Sequence, residues 1–171
     1  MTDSEQNDTR IAFVDINVFD DGSIRGGVLV TDIATRPFEF RVTSPVKPTQ
    51  LQRILYGSSL TEYVYGELIA LPLLKSVKEK VTLAVCRNDH LLIARPGLQF
   101  PFVVVKKQQS IKNNGINPIS IHPHRNFVNE QAHAELLLNA VIERHDIYEP
   151  FERVKVAVNE VNQNKVEQQK A

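Results

Sequence analysis

The sequence predicts a mixed α/β fold in which a three-stranded antiparallel meander is followed by helices and further strands. Three observations carry this. The first third holds three β-type runs separated by turn chemistry, the spacing of apolar residues becomes helical after Pro48, and β-type runs return at Val81–Cys86 and beyond. A chain of 171 residues with 42% hydrophobic content buries one sizeable core and is short for two.

Taken in order, residues 1–9 are polar and are expected as a disordered lead. Ile11–Phe19 is rich in Ile, Val and Phe, Asp20-Asp21-Gly22-Ser23 is turn chemistry, and Ile24–Ile33 is a second β-type run, so the pair reads as a hairpin. Arg36-Pro37 opens a third run, Phe38–Thr43, which Ser44-Pro45 closes. Leu51, Ile54 and Leu55 then recur at helical spacing, with Pro48 before them and Gly57 as a stop. A longer helix is expected from Leu60 to about Val77, kinked or broken at Pro72.

Val81–Cys86 reads as a buried strand, and Leu91–Ala94 and Phe102–Lys106 as further strands. Residues 107–128 read as a long polar loop holding His122 and His124. Leu136, Leu137, Ala140 and Val141 predict a helix over Asn129–Arg144. Past Pro150, Phe151, Val154, Val158 and Val161 fit one helical face, although Val154, Val156 and Val158 also suit a strand; helix is the preferred reading. The expected organisation is therefore a domain over 10–148 and a C-terminal helical extension over 149–171 with a frayed end.

Composition narrows the function classes. Basic and acidic residues number 20 each, so bulk charge draws the chain neither to nucleic acid nor to an anionic membrane, and a polyanion partner requires a local patch. Cys86 is the only cysteine, which excludes an internal disulfide and a Cys-rich zinc framework. No apolar run reaches the roughly 20 residues that span a bilayer, and the polar start lacks the form of a signal peptide, so a cytoplasmic location without membrane contact is expected. No P-loop, dinucleotide fingerprint or zinc motif is present.

Three acids fall on elements that a fold can bring together: Asp15 on the first strand, Glu67 on the long helix and Asp89 after the fourth strand. Asp15 shares a strand face with Ile11, Phe13, Asn17 and Phe19, or else lies on a solvated face. Glu67 falls within the stripe Leu60, Val64, Leu71, Leu74, while Glu62 points elsewhere. A carboxylate on an inward stripe requires a cation, a proton or an arginine partner. Asp89 is either a site residue or the turn of a hairpin to Leu91–Ala94.

The order strand, strand, strand, helix, strand, with an acid on the first strand ahead of Gly26-Gly27, Glu67-Leu68-Ile69-Ala70 on the helix and Asp89 after the next strand, resembles the ribonuclease H-like superfamily. The resemblance covers about residues 10–140 and implies a sheet with flanking helices. It places His133, within Asn129-Glu130-Gln131-Ala132-His133-Ala134-Glu135-Leu136, as the last metal-site residue, and His124 as a mobile loop histidine that assists proton transfer. It further implies Mg²⁺ or Mn²⁺ on Asp15, Glu67, Asp89 and His133, with phosphodiester hydrolysis of RNA or DNA. Lys106, Lys107, Lys112 and Arg125 are then candidate phosphate contacts, or a solvated loop. Residues 45–58 depart from the family layout as an insertion. The alternative from another class is a noncatalytic subunit that binds nucleic acid, or a protein through the valine-bearing C-terminal segment; a small-molecule enzyme working through the 107–128 loop is a third.

Overall fold

Asp20 to Ser23 sets the first hairpin: the Asp21 carboxylate accepts from the Ser23 N–H at 2.9 Å and from its hydroxyl at 2.6 Å, and Gly22 takes φ +78°. This turn joins β1 (Ile11–Val18) to β2 (Ile24–Thr31), and β3 (Pro37–Val42) completes the antiparallel meander. The computed structural model of the protein describes residues 8–107 and 119–170, with side chains to 164. β4 (Leu83–Cys86) lies parallel to β1, β5 (Phe102–Lys107) lies parallel to β4, and β6 (Ile119–Pro123) runs antiparallel to β5. The result is a six-stranded mixed sheet in the order β3-β2-β1-β4-β5-β6, flanked by helices, the layout of a ribonuclease H-like α/β fold.

Helix α1 (Gln50–Tyr56) follows from a capping box: Thr49 accepts from the Gln52 N–H at 3.1 Å, and Gln52 Oε1 accepts from the Thr49 N–H at 2.8 Å. Gly57 stops it at φ +51°. Helix α2 spans 60–76, α-helical at Leu60–Glu62, π-wound over Tyr63–Ala70 and α-helical again over Leu71–Ser76. Leu71 donates to the Gly66 carbonyl five residues back, and Pro72, which has no N–H to donate, enters the first turn that follows. The expected kink at Pro72 is thus taken up as a change of winding.

Two expected elements differ. Leu91–Ala94 is no strand: it lies inside a 3₁₀ helix, Asp89–Gly97, because β1 and β5 already occupy both sides of β4 and Asn88 caps the segment by accepting from the His90 N–H at 3.0 Å. Leu91 and Ala94, three apart, are both buried as 3₁₀ winding dictates. The expected loop over 107–128 contains β6, with Ile119 and Ile121 alternating onto one face of the sheet. Its residues 108–118 lie outside the described residues.

Helices α3 (Gln131–Ile142) and α4 (Glu149–Lys170) cover one face of the sheet, where Phe151, Val154 and Val158 pack with Ile11, Phe13 and Val85. Val156 is 67% exposed, so the valines follow helical and not strand periodicity. Val154 and Val158, offered above as a partner surface, are buried on the chain's own sheet. Helix α2 and the 3₁₀ helix cover the other face, with Leu73, Leu74 and Leu91 against Ala12, Val14, Val28 and Val104. The glycine pair serves both layers: a Cβ at Gly26 would run into Ile69 of α2, and one at Gly27 into Val154 and Val158 of α4.

Candidate functional site

Asp15 lies opposite Gly27 in the β1–β2 register, so its side chain points to the α4 face together with Phe13 and Asn17. It is 7% exposed. Its Oδ1 accepts from the Ile16 N–H at 3.0 Å, and its Oδ2 accepts from Nη2 of Arg87, the residue after β4. The other arm of the same guanidinium donates to Glu152 Oε1 of α4 at 2.7 Å. Burial by itself would weaken the Arg87 cation, but the hydrogen bonds to Asp15 and Glu152 outweigh it and raise its pKa. Phe151 lies beneath the guanidinium, 5.0 Å from ring centroid to Cζ. Next along β1, Asn17 Nδ2 donates to the Lys155 carbonyl at 3.0 Å and to Asn159 Oδ1 at 2.8 Å, tying α4 to the strand.

The structure does not gather the acids named from the sequence. Glu67 is exposed on α2, on the opposite side of the sheet from Asp15. The π winding changes the phase of the helix, so Val64, Gly66, Ile69 and Ala70 face inward and Glu67 does not. Asp89, at the start of the 3₁₀ helix, is exposed and accepts from Lys106 Nζ at 2.7 Å. His133 is exposed on α3. Among the described residues, no group of three or more His, Cys, Asp or Glu is placed to hold a metal ion. The set Asp15, Glu67, Asp89 and His133 does not fit Mg²⁺ or Mn²⁺: a guanidinium supplies the charge beside Asp15, and the remaining ligands lie elsewhere.

Three of the expected residues, Asp89, His124 and Arg125, do meet. They line one cleft of about 300 Å³, together with Glu62 and His90. Glu62 faces this cleft because it precedes the inward stripe of α2, and its carboxylate lies 3.9 Å from His90 Nδ1. His124 Nδ1 accepts from the Asn126 N–H at 3.2 Å, which leaves the proton of the neutral ring on Nε2. Burial, then the nearby Arg125 and Arg95 charges, hold His124 below the usual histidine range, so the ring is neutral near pH 7. The turn that carries it is anchored by Arg95, which is ion-paired with Glu130, donates to the Leu98 carbonyl at 2.9 Å and lies 3.9 Å over the Phe127 ring. Sequence reading missed Glu62, His90 and this anchor; the adjacency of His90 to Asp89 was the available signal for one of them.

Of the basic residues, Lys106 is paired with Asp89 and Lys107 sits 4.7 Å over the Tyr148 ring, while Arg125 is exposed at the cleft. Lys112 lies outside the described residues. Cys86 is fully buried, and burial pushes its thiol pKa far up, so it is a core side chain and not a nucleophile.

No protein-family model matches the chain, and no curated protein matches it. Among solved structures the chain is similar to human ENDOV, with a TM-score of 0.62 and 14% identity over 96% of this chain and 89% of that one. A variant of endonuclease V from Ciona intestinalis, in complex with a 23mer DNA containing an inosine followed by a ribo-adenosine, gives 0.40 and 11% over 60% of this chain and 47% of that one. The likeness to human ENDOV is one of architecture: this chain has a fold like that of an endonuclease V, on which Arg87 occupies the carboxylate of the first strand.

Proposed function

We propose that the protein is a nucleic-acid-binding domain on a nuclease-like fold, and that it binds RNA or DNA without metal-dependent hydrolysis. The observation that supports this reading is the Arg87–Asp15 ion pair. Two-metal hydrolysis of a phosphodiester needs several oxygen ligands within about 2 Å of shared ions, and here Asp15, the buried acid of β1, is committed to a guanidinium. What the fold keeps is a polar cleft beside Lys106, where Arg125, His90 and a neutral His124 meet. Donors of this kind suit phosphate oxygens and base edges, while of the two carboxylates there Asp89 is offset by Lys106 and Glu62 lies against His90. The relation to an endonuclease V supports nucleic acid as the class of ligand.

Fluorescence anisotropy with labelled single-stranded and duplex RNA and DNA tests this. Binding is expected in EDTA, weakening as salt rises, with Arg125→Ala lowering affinity and reducing the salt slope by about one unit. The oligonucleotides are expected to stay intact after Mn²⁺ is added. Cleavage that Asp89→Asn abolishes would restore the nuclease reading, and absence of binding to all four probes would remove both.

A further inference from the structure

Strand β6 ends the sheet, and among the described residues its outer edge carries no partner strand. A groove of about 540 Å³ follows this edge: all of Ile119–Pro123 lines one wall, and the α3 residues Gln131, Glu135 and Asn139, one turn apart, line the other. Val128 closes the end and is 61% exposed. An unpaired edge offers a row of backbone donors and acceptors spaced for another extended chain. The wall opposite supplies the selectivity. Glu135 is exposed, its hydrogen-bond partner is the neutral amide of Gln131 at 2.9 Å, and no cation is paired with it among the described residues. The other α3 residues there are uncharged amides, and His122 is engaged with Ser120 Oγ at 2.9 Å.

We infer that this groove binds an extended peptide segment that adds to β6 as a seventh strand, with an apolar side chain against Ile121 and Val128 and a lysine or arginine two residues away against Glu135. The spacing follows from strand geometry, since alternate residues of an added strand face the same wall roughly 7 Å apart. Charge complementarity fixes the class of partner: among the described residues the groove carries one carboxylate without a cation, Glu135, so an acidic strand is repelled and a basic one is drawn in. This surface lies on the α3 side of β6 and adjoins the cleft proposed for nucleic acid only at Pro123, while Glu135 belongs to the groove alone.

The test uses the full chain and a fluorescein-labelled synthetic peptide alternating threonine with valine and lysine, read by anisotropy. Saturable binding is expected, weakened about fivefold by Glu135→Gln, in line with loss of one exposed charge pair. N-methylation of alternate peptide amides is expected to abolish it, because the added strand then cannot donate. Equal affinity for the same peptide with glutamate in place of lysine, or no response to Glu135→Gln, overturns the proposal. A concentration-dependent dimer in sedimentation that blocks the peptide also overturns it, assigning the edge to a second copy of the chain.

Discussion

Arg87 donates through one arm to Asp15 on β1 and through the other, at 2.7 Å, to Glu152 on α4, so a single guanidinium joins the centre of the sheet to the helix that covers it. The Asp15 side chain is 10% exposed and that of Glu152 58%, so the two halves of the network differ in worth. The Asp15 half is strong because removing the cation strands a nearly buried carboxylate. The Glu152 half is a surface contact that contributes little.

Arg87→Met is therefore expected to destabilise the fold by about 2–3 kcal/mol, and Glu152→Gln by far less, because its carboxylate is exposed. Combining Arg87→Met with Asp15→Asn should recover most of the first loss, since no uncompensated charge is left. Urea denaturation of the four proteins measures this. A double variant no more stable than Arg87→Met alone would show that packing against Phe151, and not charge, is what Arg87 supplies.

Gly66 faces Ile93 of the 3₁₀ helix, where a Cβ would meet the Ile93 side chain and approach the His90 carbonyl to 3.2 Å. Gly66→Ala is expected to cost about 1–3 kcal/mol by overpacking. Adding Ile93→Ala should return part of it, although the tight approach to the His90 backbone stays. The thermal midpoints of the two variants decide this, and equal midpoints would exclude steric conflict with Ile93 as the cause.

Cys86 is fully buried in the sheet and its thiol is held protonated by burial. In the native protein it should react with a thiol reagent such as Ellman's only as fast as the chain opens, and promptly once urea is added. Fast native labelling at neutral pH would contradict the burial of this strand.

Asp32 sets a pH dependence. Burial would raise its pKa, but hydrogen bonds from the Arg36 N–H at 3.0 Å, the Arg36 side chain at 2.7 Å and the Ala34 N–H at 2.9 Å prevail and lower it. A lowered carboxyl adds stability that is complete above the unfolded value of about 4 and is lost as pH falls through the folded value. Asp32→Asn should hence be less stable than the parent at pH 7, with the gap closing below pH 4. A gap that stays constant down to pH 2 would mean that the carboxylate charge is not what the turn uses.

The local elements were largely legible because they rest on near neighbours: Asp21 and Ser23 make the first turn, Thr49 and Gln52 start α1, and Gly57 ends it. The glycine pair after Asp15 was legible too, and its reason is visible only in three dimensions, where Ile69 and Val158 approach from opposite faces. Leu91–Ala94 misled because a short apolar run does not reveal whether a neighbouring strand position is free. Glu67 misled because the π turn in α2 shifts every residue after it away from ordinary helical phase.

By itself the sequence determined the meander, the main helices and the strands β4 and β5, since turn chemistry and apolar period act over a few residues, but not β6 or the 3₁₀ winding of Asp89–Gly97. The tertiary structure decided which polar groups meet. Whether Asp15 faces a cation, a solvated surface or Arg87 depends on residues 72 positions apart along the chain. That choice is made by sheet register and helix phase, and no local pattern encodes it.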